Sequence, residues 1–315
     1  MKLARRLLYV LLVLVLLLPV AAALIGPQLV PTILHPANLN PERSEQTAAM
    51  LARTGATKED LEVRASDGAV LRGWKVRPAN PSGDWVLLYH GISDNRTGNL
   101  GHAEFLLRHG YSLVMMDSRA HGESGGDAAT YGFQERKDTR AIVGALYSAE
   151  NVRHLYALGV SMGAAIALQS AAVEPRIEAV VAEDPFASFR EVTYDYAGLE
   201  LSPLLGETLF RPASVMALRG VKKTGIFDPD EVSPENAVAA RAFPVLLICG
   251  TEDRRIPCRH AEAIYKAATG PKELWIVPGA GHASALGQAP AEYEKRVIQF
   301  FEEYPAESEK EIKRP

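Results

Sequence analysis

The chain has 315 residues, 47% of them apolar and 23% charged, with a formal net charge of −4. That length is enough for one large core. The charge balance and the lack of a lysine- and arginine-rich block exclude the phosphate-tracking surface of a nucleic-acid binder. At the N-terminus Lys2, Arg5 and Arg6 precede an apolar run that starts at Leu7 and stays uncharged through Leu34. Leu7 to Ile25 has about the 20 residues that a helix needs to cross a bilayer core, and basic residues before such a span stay in the cytoplasm. Residues 1–26 are therefore expected to be a single-pass membrane anchor, with the body outside the cytoplasm. The alternative is a signal peptide cleaved near Ala21-Ala22-Ala23, leaving a secreted or periplasmic protein. The apolar run passes that site to Leu24-Ile25, so the anchor is the reading taken.

Residues 27–60 read as a connector. Pro27, Pro31, Pro36 and Pro41 punctuate it as extended chain, and a short helix is expected near Ser44 to Ala52. The first 40 or so residues are expected to be dispensable for chemistry. A globular domain then spans 61–305, followed by a polar tail at 306–315. Leu61 to Arg64 and Val70 to Val76 alternate about Asp67-Gly68, the pattern of a hairpin and an antiparallel edge for the sheet. From Trp85 onward strands and helices alternate, as in a mostly parallel, doubly wound α/β sheet. The strands are expected at Trp85 to Tyr89, Ser112 to Met116, Leu155 to Leu158, Ala179 to Ala182, Pro244 to Cys249 and Leu274 to Val277. A long amphipathic helix is expected over Thr130 to Glu150. At about 187–240 the alternation gives way to a stretch with Tyr194, Tyr196, Leu199, Leu201, Leu204, Leu205, Leu209, Phe210 and Met216, read as a short helical lid.

Gly159-Val160-Ser161-Met162-Gly163 lies between a strand and the apolar helix start Ala164 to Leu168. Strand, G-x-S-x-G and helix together form a nucleophile elbow. The turn strains the serine backbone and leaves no room for side chains two residues to either side. It puts the Met162 N–H at the position of an oxyanion donor. A serine nucleophile needs a base, and after the elbow the order is acid, then histidine. Two histidines follow Ser161. His282, on the glycine-rich loop after a strand, is taken as the base; His260, at the start of a helix, reads as a surface residue. Asp253 ends a buried strand, where α/β enzymes place working residues, and is taken as the acid over Asp184, which follows another strand. Glu252 reads as a solvent-facing neighbour. The second oxyanion donor is expected to be the Ile92 N–H, after Gly91, with His90 bonding to loop backbone. Cys249, ending a buried strand, reads as a free thiol that behaves as a small hydrophobe; a disulfide to Cys258 is the alternative outside the cytoplasm, although one end would have to leave the core. No spacing of cysteine and histidine suggests zinc.

Five segments together resemble the α/β-hydrolase superfamily: Tyr89 to Asn95, Asp117 to Gly125, Gly159 to Gly163, Gly250 to Asp253, and Gly281-His282. The resemblance runs from about Leu61 to Phe301 and is closest to bacterial membrane-anchored hydrolases described as serine-aminopeptidase-like or lysophospholipase-like. It implies an α/β-hydrolase fold and a Ser-His-Asp acyl-transfer enzyme without metal or organic cofactor. Ser118 and Ala120 depart from the Tyr-Arg-Gly common before the His-Gly pair, in a segment that is structural in the family. The expected function is hydrolysis of an ester with a small hydrophobic acyl group. The alternatives are a peptidase or acyltransferase with the same triad, and a non-catalytic membrane-tethered binding protein.

Overall fold

The structure is a computed structural model that describes residues 5–6, 9, 17, 20–21, 24–37, 42–198 and 202–305. Eight strands form one sheet in the order β1-β2-β4-β3-β5-β6-β7-β8. They are β1 (Thr57–Arg64), β2 (Val70–Arg77), β3 (Trp85–Tyr89), β4 (Ser112–Met116), β5 (Leu155–Val160), β6 (Ala179–Glu183), β7 (Val245–Gly250) and β8 (Lys272–Val277). The expected hairpin is present: β1 and β2 pair antiparallel, and β2 pairs antiparallel with β4. All later pairings are parallel. Strands β3 to β7 are buried along their whole length. That explains why they read in sequence as continuous apolar runs rather than alternating ones. Helices cover both faces and divide the core in two. Leu87, Ala157 and Leu247 face one half, while Leu88, Leu158 and Leu246 face the other.

Three expectations need correction. The membrane anchor over Leu7 to Ile25, and with it the placing of the body outside the cytoplasm, is overturned: among the described residues no helix is long and apolar enough to cross a membrane. Most of that run lies outside the described residues, as does the polar tail at 306–315. The connector is not extended where it begins. Gly26–Leu29 is a 3-10 turn and Val30–Leu34 an α-helix, with Pro27 and Pro31 in first-turn positions where a missing N–H costs nothing. This strap is docked. Leu34 is buried, its carbonyl accepts from the Ala129 N–H at 2.9 Å, and the Tyr131 hydroxyl donates to the Ile33 carbonyl at 2.7 Å. The long helix starts at Glu135 rather than Thr130. Glu135 turns back to accept from the Thr130 and Gly132 N–H groups, and Tyr131 and Gly132 have φ of 56° and 113°.

The lid stretch comprises helices Phe189–Ala197, Pro203–Glu207, Arg211–Thr224 and Pro234–Ala240, with a 3-10 turn at Pro229–Glu231. Leu199 and Leu201 lie outside the described residues. The strap packs on helix Arg211–Thr224. A Cβ at Gly26 would sit 2.4 Å from the Met216 Cβ, and one at Gly220 2.5 Å from a Val30 methyl. Leu34→Ala should therefore cost about 2–5 kcal/mol, as buried leucines do, read by urea unfolding. A loss below about 0.5 kcal/mol would show that the strap does not contribute to the folded core.

Candidate active site

Ser161 sits between β5 and helix Met162–Val173 with φ 56° and ψ −120°. The turn is crowded on both sides. A Cβ at Gly159 would fall 2.2 Å from the Gly163 carbonyl oxygen, and one at Gly163 2.2 Å from the Tyr89 carbonyl oxygen. Such contacts admit only glycine, so the two flanking glycines follow from sterics. The Ser161 N–H donates to the Glu183 carbonyl at 2.8 Å, which ties the strained residue to β6.

The structure brings Ser161, His282 and Asp253 together. Ser161 Oγ lies 2.9 Å from His282 Nε2, and His282 Nδ1 lies 2.7 Å from Asp253 Oδ2. The carboxylate oxygen accepts from Nδ1–H, so the tautomer leaves Nε2 free to accept the serine proton. Asp253 is itself fixed, since its Oδ1 accepts from the Arg255 and Ile256 N–H groups at 2.8 and 2.9 Å. Its side chain is fully buried. Glu252 beside it is exposed, as expected.

Asp184 is placed differently. Its nearer oxygen is 3.8 Å from His282 Nδ1. Its Oδ2 accepts from the Ala283 N–H at 2.7 Å and its Oδ1 from the Gly250 N–H at 3.3 Å. It therefore joins the acid loop to the histidine loop. Burial, followed by the neighbouring Glu183 and Asp253 carboxylates, pushes it up to about 8. Sequence reading missed Glu183, which is wholly buried and accepts from the Ala285 N–H at 3.0 Å and the Tyr293 hydroxyl at 2.8 Å. Against the cost of that burial, His102 and Tyr293 hold its carboxyl below the usual range. The acidic pair at the end of β6 was a signal, but its partners come from helices that no local pattern connects to it. Asp184, Asp253 and His282 present ligand atoms within 4.8 Å of one another. The hydrogen bonds just described already engage those atoms, and the donor set fits a proton relay better than a cation.

Ile92 and Met162 line the same cavity as Ser161. Met162 is the first residue of its helix, so its N–H has no intrahelical acceptor. His90 bonds to loop backbone, as expected: Nδ1 donates to the Gly91 carbonyl at 2.7 Å and Nε2 accepts from the Ser118 N–H at 2.9 Å. The departure at Ser118 is harmless because the bond uses main chain. His260 is not a surface residue. It is 1% exposed, with Nε2 2.6 Å from Asp195 Oδ2 and Nδ1 accepting from the Ala187 N–H. Arg259 also forks onto Asp195, so this cluster latches a lid helix to the body. Cys249 and Cys258 are not free thiols; they form a disulfide with Cα atoms 5.5 Å apart. Neither end leaves the core, because the acid loop turns the start of helix Arg259–Ala267 back beside the end of β7.

The cavity at Ser161 has a volume of about 380 Å³. Its lining includes Phe186, Phe189, Val192, Ile256 and the strap residues Ile33 and Pro36, and among the described residues no charged side chain.

Residues 85–296 match the alpha/beta hydrolase family. YqkD of Bacillus subtilis, an uncharacterized protein, is 29% identical over 249 residues, 78% of this chain and 79% of its own length. Among solved structures, the Pyrococcus furiosus esterase Pf2001 is 25% identical, with a TM-score of 0.67, covering 81% of this chain and 94% of that one. A Pyrococcus horikoshii acylaminoacyl peptidase is similar in fold, at 16% identity and a TM-score of 0.59, covering 78% of this chain and 41% of that one.

Burial, with the nearby His121 ring, lowers His90 from 6.5 to about 4, and burial also lowers His121. A histidine held neutral in the fold takes up a proton more readily when unfolded. Stability should therefore fall as pH drops from 6.5 towards 4, at up to ~1.4 kcal/mol per pH unit for each proton. His90→Gln should flatten part of that slope in thermal melts. An unchanged slope would show that His90 does not carry it.

Proposed function

The chain belongs to the alpha/beta hydrolase family, and we propose that within it this protein is a serine hydrolase acting on esters with an apolar acyl group. The observation that carries this reading is the arrangement of Ser161, His282 and Asp253, at 2.9 and 2.7 Å, opening onto a cavity with no charged side chain among its described lining residues. The similar Pf2001 structure, an esterase by name, supports the same choice.

In this mechanism Ser161 Oγ attacks the acyl carbonyl while its proton passes to His282 Nε2. The carbonyl oxygen becomes an oxyanion held by the N–H groups of Met162 and Ile92. The imidazolium, paired with Asp253, returns its proton to the departing alkoxide, and the alcohol leaves behind an acyl-enzyme. Water then gives a proton to Nε2 and its oxygen to the acyl carbon. Collapse of the second tetrahedral species sends that proton back to Ser161 and frees the carboxylic acid. An aminopeptidase would need an acidic group to hold the substrate amine, and none among the described residues lines this cavity. That favours ester over peptide, although the similarity to an acylaminoacyl peptidase keeps N-acylated amides as the second reading.

Ser161→Ala should cut turnover of p-nitrophenyl butyrate by ~10⁴-fold or more in a protein with native thermal stability. Activity retained within about ten-fold would move the nucleophile elsewhere. Loss of the orienting carboxylate costs about 10⁴-fold in a comparable triad. Asp253→Asn should approach that loss, while Asp184→Asn should fall well short of it. A larger loss from Asp184→Asn, at matched stability, would reassign the acid.

A further inference from the structure

The strap that precedes the hydrolase domain reaches the cavity above Ser161. Thr32, Ile33, Pro36 and Ala37 form one wall, and Val192 and Tyr196 of helix Phe189–Ala197 contribute to another. This wall is fixed at both ends of the helical turn. Its carbonyls at Ile33 and Leu34 accept from Tyr131 and Ala129 of the body, and upstream Gly26 and Val30 lie against lid helix Arg211–Thr224. The bond to Ile33 also draws the Tyr131 hydroxyl onto strap backbone, although the ring lines the cavity. A substrate is thus offered an apolar slot, one wall of which, Thr32, Ile33, Pro36 and Ala37, lies outside the matched family segment at 85–296.

We infer that residues 32–37 are the specificity wall of this enzyme, selecting a medium-length acyl chain that lies between the strap and helix Phe189–Ala197. This rests on the serine-hydrolase reading above and adds to it the substrate class and the residues that choose it. At about 380 Å³ the slot has room for an acyl chain of several methylenes. A two-carbon acyl group leaves most of the slot unfilled and forgoes the burial that each methylene contributes. Because Thr32, Ile33, Pro36 and Ala37 line the cavity, deletion of the first 40 or so residues is expected to change the preference for acyl length.

The test is the ratio of kcat/KM on p-nitrophenyl octanoate to that on p-nitrophenyl acetate, for the native chain and for Thr32→Trp, Ala37→Trp and the milder Ala37→Leu. Thr32 and Ala37 line the slot and are exposed, so a larger side chain there narrows it without displacing core, and thermal melts identify the variants to compare. The native ratio should exceed one. Either tryptophan should lower it by about ten-fold, as the loss of room for a methylene or more does in an apolar pocket; Ala37→Leu should lower it by less. A native ratio below one, an unchanged ratio in folded variants, or equal loss on both esters would each overturn the inference while leaving the serine-hydrolase reading intact. Absence of turnover on every ester by the native chain would overturn that reading, and this inference with it.

Discussion

The site depends on one crowded turn. Ser161 has a backbone conformation that a non-glycine residue rarely adopts, with φ at 56°, and strain of that kind persists only where surrounding structure fixes it. Here the fixing comes from three strands. β5 delivers the residue, the end of β3 approaches so closely that position 163 has no room for a Cβ, and the Glu183 carbonyl at the end of β6 accepts the serine N–H. The same crowding brings the start of helix Met162–Val173 beneath the hydroxyl. Substituting either flanking glycine would have to shift helix Met162–Val173 away from the strand ends, because the opposing atoms are main chain and not flexible side chains.

The adjacent carboxylates Glu183 and Asp184 organise the other half. Glu183 bonds the Ala285 N–H, and Asp184 bonds the N–H groups of Ala283 and Gly250. The segment just after His282 is thus held at Ala283 and Ala285 by the strand end that also holds Ser161. The acid loop has its own constraint in the Cys249–Cys258 disulfide, which closes around Asp253. Serine, histidine and acid come from segments far apart in the chain, yet each is referred to the ends of β6 and β7. The proposed proton relay needs its members held to within fractions of an ångström, and these bonds and the disulfide are the constraints that would hold them.

Those parts of the fold that follow from local pattern were legible in the sequence. Continuous apolar runs marked the buried strands, Asp67-Gly68 marked the hairpin, and the glycines around Ser161 marked the turn. The order of strand-end Asp253 and loop His282 after the serine followed from the same punctuation. What sequence reading missed depends on contacts between distant segments. His260 looked like a surface helix residue until Asp195, from a lid helix, lay against it. The disulfide depended on how the acid loop folds back, which spacing alone does not reveal. The strap read as extended chain because four prolines suggest it, but two of them begin helical turns. The apolar run before it resembled a membrane span in length and composition, and no helix among the described residues meets that requirement.

The central claim is that Ser161 is the activated nucleophile. Reaction of the purified chain with a fluorophosphonate, followed by peptide mapping by mass spectrometry, tests it most directly, because only a serine with a working base and oxyanion site reacts at a useful rate. The account predicts one adduct per chain, on Ser161, formed in step with loss of ester turnover. An adduct on another serine, or full loss of turnover with Ser161 unmodified, would contradict it.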